Sequence, residues 1–173
     1  TPGLCSGWLC VQLAEGATAP LRLRRNAGFH LPEDDRPLLL IGNGTGLASL
    51  RSLLRERAWR GQPRNWLLFG ERTAAHDFLC RDELLAWQAE GHLQRLDLAF
   101  SRDPGNSPHT DVRAVAGEPR KTYVQHRLRE HGRDLYDWLQ NGAHLYVCGA
   151  ISMGKDVHAA LLDIVAAHTG GDA

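Results

Sequence analysis

The chain has 173 residues, enough for one domain of ordinary size or one domain with part of another. Its 20 Lys and Arg balance 20 Asp and Glu, so no overall field favours nucleic acid or an anionic membrane, and any anion site must be local. Cys5, Cys10, Cys80 and Cys148 form no C-x-x-C pair, no apolar run approaches the roughly 20 residues that cross a bilayer, and the opening TPGLCSGWLC lacks a signal peptide's basic region; these features point to a cytoplasmic protein and to no membrane contact from this stretch.

Residues 1–36 read as a preamble. It holds a helix over LCSGWLCVQL, a turn at Gly16, a strand PLRLRR in which apolar and basic residues alternate, and a boundary loop HLPEDDRP in which Pro32 and Pro37 bracket three acids. The main unit, 37–173, opens with strand PLLLIG and a helix whose apolar positions Leu47, Leu50, Leu54 and Ala58 are three and four apart. Strand NWLLFG, a helix over HDFLCRDELLAWQAE and strand LQRLDLAFS follow, and then a long polar loop at 103–120. Helices VQHRLREHG and DLYDWLQNG, strand HLYVCG and an amphipathic helix through Val157, Ala160, Leu161, Ile164, Val165 and His168 complete the chain. Four apolar strands alternating with helices imply an α/β fold, a doubly wound parallel sheet whose ligands bind beyond the carboxyl ends of its strands.

The first strand runs into GNGTG, with glycines at 42, 44 and 46. The dinucleotide fingerprint G-x-G-x-x-G would need glycine at 47, where Leu47 stands, and no phosphate-loop G-K-[ST] is present. Glycines let the backbone approach a ligand and the helix start offers free amides, with Thr45 adding a hydroxyl; the alternative is a plain tight turn. Glu71, near the end of the second strand, is either a ribose acceptor for NAD or a solvated charge. Ser101 and Arg102 after the third strand, with Lys121 and Tyr123 beyond the polar loop, supply two cations and two hydroxyls suited to a phosphate monoester, and the Tyr123 ring suits a purine. Taken separately, Ser-Arg and Lys-x-Tyr are ordinary surface pairs.

In order, GNGTG, LLFGER, HDFLCRDEL, AFSRD, KTYVQHRL, YVCG and MGKDV resemble the NADPH-binding module of the diflavin reductases, of the sulfite reductase flavoprotein and microsomal cytochrome reductase type within the ferredoxin-NADP reductase superfamily. The likeness spans about residues 37–168. It implies that Ser101, Arg102, Lys121, Tyr123 and Gln125 hold the 2′-phosphate and adenosine of NADPH, with Asp156 completing the adenosine side. Gly44, Thr45 and Gly46 would lie along the pyrophosphate and nicotinamide, and Cys148 beside the nicotinamide ring, where the alternative is a buried structural thiol. Gly3, Leu4, Cys5 and Ser6 resemble the family's G-x-C-[ST] segment, which holds the FAD pyrophosphate, so residues 1–36 are expected to be the end of an FAD-binding domain and 37–173 the NADP(H)-binding domain.

The resemblance further implies a flavin barrel before residue 1, a last strand after residue 173, and a flavodoxin-like domain or a heme or iron–sulfur protein as electron acceptor. The chain starts without Met and stops soon after an amphipathic stretch, so it reads as a fragment that binds NADP(H) and transfers no electrons unaided. It departs from the family pattern at Ser49, where proline is usual, at Ala150, where an acid is usual, in a segment after Cys148 that is one residue shorter, and in the longer loop before Lys121. A nucleotide-sensing or scaffold domain without electron transfer is the alternative function, and an NAD-linked dehydrogenase using Glu71 a third. No histidine spacing matches a zinc site and G-x-S-x-G is absent, so neither metal nor a serine nucleophile is expected; Trp59, Trp66, Trp87 and Trp138 read as packing residues.

Overall fold

The computed structural model describes residues 3–24, 26, 28–103 and 121–169. Nearly all of the polar loop expected at 103–120, and Arg25 at the end of PLRLRR, fall outside them. By its internal contacts the chain divides into Thr1–His30 and Leu31–Ala173. Leu31–Arg36, read from the sequence as a boundary loop and grouped with the residues before it, falls in the larger unit by those contacts.

In the smaller unit, helix α1 (Leu4–Gly7) continues into a π-helical turn, Trp8–Gln12. Gly16 adopts φ +82° in the following turn. The alternation in PLRLRR does not produce a strand at residues 20–24. Leu21 and Leu23 are exposed there, and a strand needs a neighbouring strand to satisfy its backbone.

The larger unit is built on strands β1 (Leu38–Asn43), β2 (Asn65–Glu71), β3 (Arg95–Phe100) and β4 (His144–Cys148). All pair in parallel in the order β3-β2-β1-β4, with Leu38 opposite Asn65 on one side and His144 on the other, and Trp66 opposite Arg95. The helices are α2 (Leu47–Trp59), α3 (Ala74–Asp77), α4 (Arg81–Ala89), α5 (Val124–Glu130), α6 (Gly132–Gln140) and α7 (Ile151–Thr169). This is the doubly wound α/β sheet that the sequence pattern implies. Leu38, Leu39, Leu40 and Ile41 are wholly buried because β1 lies between two strands and beneath helices on both faces. Leu39, Ile41, Trp66 and Leu68 face Leu128 of α5, Leu135 of α6 and Met153, Val157, Ala160 and Ile164 of α7. Alternation turns Leu38, Leu40, Leu67 and Phe69 to the opposite face, where α2 buries Leu47, Leu50, Leu53 and Leu54. No helix among the described residues is long and apolar enough to cross a membrane. Among the described residues β4 lies at the edge of the sheet, and Leu145 and Val147 are partly exposed on it.

Two expectations are corrected. The helix read over residues 76–90 is broken into α3 and α4. The Asp77 carboxylate accepts hydrogen bonds from the Thr73 N–H (3.0 Å) and hydroxyl (2.7 Å), which starts a short turn early, and the Phe78 ring lies edge-on to Phe100 at 5.7 Å. The chain then passes through a left-handed Cys80 (φ 53°) before α4. Trp59 is no packing residue; it is 82% exposed at the end of α2, whereas Trp66 is wholly buried and Trp87 and Trp138 are half-buried.

At the amino ends of the strands, polar side chains clasp the connecting loops. The buried Arg57 guanidinium donates to Asn65 Oδ1 (2.9 Å), Gln62 Oε1 (3.0 Å) and the Arg36 carbonyl (3.1 Å). Asn65 in turn donates to the Gln62 and His92 carbonyls at 2.7 and 2.8 Å. Burial pushes the Arg57 pKa down from its ordinary value, and these acceptors surround the charge. Nearby, Asp34 accepts from Arg36 Nε at 2.9 Å and lies 3.1 Å from His144 Nε2. On the β3 side, Asp97 accepts from Trp66 Nε1 (2.6 Å) and Arg95 Nε (2.8 Å), with His131 Nε2 at 3.3 Å. The Arg95 guanidinium covers the Trp66 ring at 4.1 Å.

Two predictions follow from these clasps. Arg57→Ala leaves several buried acceptors unpaired and should cost about 3 kcal/mol in urea denaturation; a loss under about 1 kcal/mol would show that water replaces the guanidinium. The hydrogen bond from the Arg36 side chain, reinforced by its backbone N–H and by His144, pulls the Asp34 pKa down to about 2 against the opposing effect of burial. A depressed carboxyl stabilises the fold above its unfolded pKa of about 4 and loses that contribution as pH falls toward the folded value. Asp34→Asn should therefore flatten the fall in stability between pH 4 and 2, read from denaturation midpoints.

Candidate functional site

The strands end together at one edge of the sheet, and there a cleft of about 710 Å³ opens. β1 contributes Asn43 and the following Gly44; β2 contributes Gly70 and Glu71, with Arg72 next in the chain; β3 contributes Ala99 and the following Ser101. Asp77 comes from α3, Tyr123, Val124 and Gln125 from the start of α5, and Ser152, Met153 and Asp156 from the first turns of α7. Loops beyond carboxyl strand ends, beside the point where the strand order reverses from β1 to β4, are the usual ligand crevice of open α/β sheets.

The backbone around the cleft is tied down. The parallel ladder continues past the strand ends, with Ser101 N donating to the Glu71 carbonyl at 2.9 Å and Arg102 N to the Arg72 carbonyl at 2.8 Å. Tyr123 N donates to His126 Nδ1 at 3.2 Å, and the two rings lie 5.7 Å apart. Gln125 Nε2 donates to Asp156 Oδ2 at 3.3 Å, linking the starts of α5 and α7.

Gly44–Gly46 is a single 3-10 turn between β1 and α2. Gly44 has φ +56°, a conformation side chains resist. Gly46 has a different reason to be glycine: a Cβ there would lie 2.2 Å from the Cys148 carbonyl oxygen. The close approach expected of this loop is thus already used within the protein, between the α2 entrance and the end of β4. Thr45, between the two glycines, is exposed.

The cleft is lined by Gly44, Ser101, Tyr123, Gln125 and Asp156 of the residues singled out from the sequence, while Thr45, Gly46, Arg102, Lys121 and Cys148 stand outside its lining. Arg102 and Lys121 are the exposed chain neighbours of Ser101 and of the buried Thr122 that precedes Tyr123. Cys148 is a half-buried free thiol where β4 ends. Gly3, Leu4, Cys5 and Ser6 are exposed at the start of α1 in the smaller unit, where Gly3, Leu4 and Cys5, but not Ser6, border a depression of about 440 Å³ with Trp8 and Val11. Glu71 lines the cleft, but its Oε2 accepts the Arg72 N–H at 2.9 Å. Sequence reading overlooked Asn43, Arg72 and Asp77; the position of Arg72 directly after an apolar strand was the available signal.

The charges at the cleft are unequally engaged. Each acid already has a partner: Glu71 takes the Arg72 N–H, Asp156 takes Gln125, and Asp77 takes Thr73, whose hydroxyl holds that carboxyl below its ordinary pKa. The side chains of Arg72, Arg102 and Lys121 have no hydrogen bond or ion pair among the described residues. A chain of zero net charge therefore keeps unpaired cations at one rim of its sheet, a donor set that suits an anion.

Fold and cleft define an α/β domain of the kind that takes nucleotides across the carboxyl edge of a parallel sheet. The chain belongs to the family described as "Oxidoreductase NAD-binding domain", whose family model matches residues 40–159. It is similar to the sulfite reductase [NADPH] flavoprotein alpha-component of Vibrio cholerae, at 45% identity over 166 residues. The proteins of that name from Neisseria meningitidis and Photobacterium profundum are 43% and 42% identical over 166 residues. Each match covers 94% of this chain and 25% of the relative, so the chain spans about a quarter of the length of these curated relatives.

Gly46→Ala should destabilise the protein by about 2 kcal/mol with no ligand present, because backbone atoms rather than a movable side chain meet the new methyl. Thermal melts of the ligand-free protein read this; a wild-type melting temperature would show that the turn moves aside at no cost.

Proposed function

We propose that this chain is the NADP(H)-binding part of a flavoprotein reductase that carries reducing equivalents from NADPH to FAD and on to a flavodoxin-like domain or a heme or iron–sulfur protein. The observation that carries the reading is the unequal pairing at the cleft: its acids are engaged, while Arg72, Arg102 and Lys121 are unpaired among the described residues and two hydroxyls stand close by in sequence. The names of the similar proteins support the choice of NADPH and of a flavin.

Ser101, Arg102, Lys121 and Tyr123 grip the 2′-phosphate, the Tyr123 ring stacks on the adenine, and Gln125, steadied by Asp156, completes the adenosine side. Gly44, Thr45 and Gly46 present amides and a hydroxyl to the pyrophosphate at the entrance to α2. Cys148 stands at the nicotinamide side. When bound, the reduced nicotinamide supplies a hydride and the flavin accepts it; the chain's own share is binding and orientation. Gly3, Leu4, Cys5 and Ser6 offer the FAD pyrophosphate the free amides of a helix start, which makes residues 1–36 the end of a flavin domain ahead of the nucleotide domain at 37–173. A cytoplasmic location agrees with the four free cysteines.

Calorimetric titration of Arg102→Ala with NADP⁺ and NAD⁺ tests the clamp. A charge-assisted contact to phosphate contributes about 1.5–3 kcal/mol, so NADP⁺ affinity should fall roughly tenfold or more while NAD⁺ affinity changes less than about twofold. Equal losses for the two cofactors would remove Arg102 from the 2′-phosphate.

A further inference from the structure

Asn43 closes β1, and two separate features bind it to the end of β4. Its Oδ1 accepts the Ala150 N–H at 2.9 Å. A Cβ built on Gly149 would lie 2.0 Å from the same oxygen, so the side-chain amide sits flush against the β4–α7 connection. The Ala150 N–H lies just before α7, where the helix itself supplies no acceptor for it.

The contact spans the switch point of the sheet. Asn43 follows Gly42, which pairs with Cys148, and the other flank of the Cys148 carbonyl is taken by Gly46. Asn43 and Gly46 thus hold the Cys148–Gly149–Ala150 turn from two sides, one by a hydrogen bond and one by steric contact. Gly149, whose backbone is the most permissive in the turn, lies between the two: the hydrogen bond holds the residue after it, and Gly46 packs against its own nitrogen.

We propose that Asn43 is a positioning residue for the nicotinamide half of the dinucleotide: it fixes the Cys148–Ala150 turn against the glycine turn and so sets where that half lies. This rests on the NADP(H) reading above. Strands stand about 4.8 Å apart, so the end of β4 is about 14 Å from the end of β3, where the adenosine half is held. The two halves of the ligand therefore report separately on the two ends of the cleft.

The test uses Asn43→Ala and the isosteric Asn43→Asp, whose carboxylate retains an acceptor for the Ala150 N–H. Hydrogen exchange at the Ala150 amide should rise about tenfold in Asn43→Ala and return toward wild type in Asn43→Asp. Affinity for 2′,5′-ADP, which has no nicotinamide half, should stay within about twofold in both variants, since the residues proposed to hold its 2′-phosphate, Ser101 and Arg102, follow β3 at the other end of the sheet. In the complete polypeptide, NADPH-driven ferricyanide reduction should show kcat lowered about tenfold in Asn43→Ala at nearly constant KM, with Asn43→Asp recovering most of it. Unchanged kcat in Asn43→Ala, or equal losses for 2′,5′-ADP and NADPH, overturns the positioning role while leaving the NADP(H) reading in place. Failure of the wild-type protein to bind 2′,5′-ADP removes both. Should Asn43→Ala fold poorly, as thermal melting reveals, Asn43→Asp decides alone: lost Ala150 protection together with wild-type kcat rejects the latch.

Discussion

The Cys148 carbonyl oxygen occupies the space in which residue 46 would carry a side chain. That contact sets the distance between the entrance to α2 and the end of β4, and the remaining geometry of the cleft follows from it. With Gly46 seated on β4, α2 lies across β1 and β4 and buries Leu47, Leu50 and Leu54 on one face. The opposite face is left to α5, α6 and α7, and the first turns of α5 and α7 reach the sheet's carboxyl edge beside Asn43, Glu71 and Ser101. Residues from six elements meet there because each terminates at the same height, not because they attract one another.

The pairing of charges differs between this shared edge and the rest of the larger unit. Elsewhere in the larger unit many arginines are consumed by structure: Arg57 by loop carbonyls and amides, Arg95 by Asp97 and Asp134, Arg51 by Glu83, and Arg129 by Asp163. At the cleft, by contrast, Arg72 in the lining and Arg102 and Lys121 beside it have no ion-pair partner among the described residues, while Glu71, Asp77 and Asp156 are hydrogen-bonded to neutral donors. Because the acids in the lining are already hydrogen-bonded, binding an anion there requires no internal ion pair to be broken first.

The sheet was plain in the sequence because interior parallel strands leave an unbroken apolar record, as in LLLIG and WLLFG, and because α2 spaces its leucines at helical intervals. What the pattern hid depends on partners distant in the chain. PLRLRR alternates as a strand does, yet no strand lies beside it; HDFLCRDEL reads as one helix until Asp77 turns back to Thr73 and Phe78 meets Phe100. Ser101, Tyr123 and Gln125 stood out through the motifs around them. Asn43 and Arg72 did not, because an asparagine after a strand or an arginine after a glutamate acquires meaning only from what lies across the cleft: the Ala150 amide for one, and the absence of an ion-pair partner among the described residues for the other.

The outer rim of the sheet has a practical corollary. β4 pairs with β1 on one side only among the described residues, and Leu145 and Val147 are partly exposed on it. A bare rim of this type welcomes any passing extended backbone. A charge on the solvent side of such a strand opposes pairing of this kind, and Val147 is the position on β4 where a lysine would supply it.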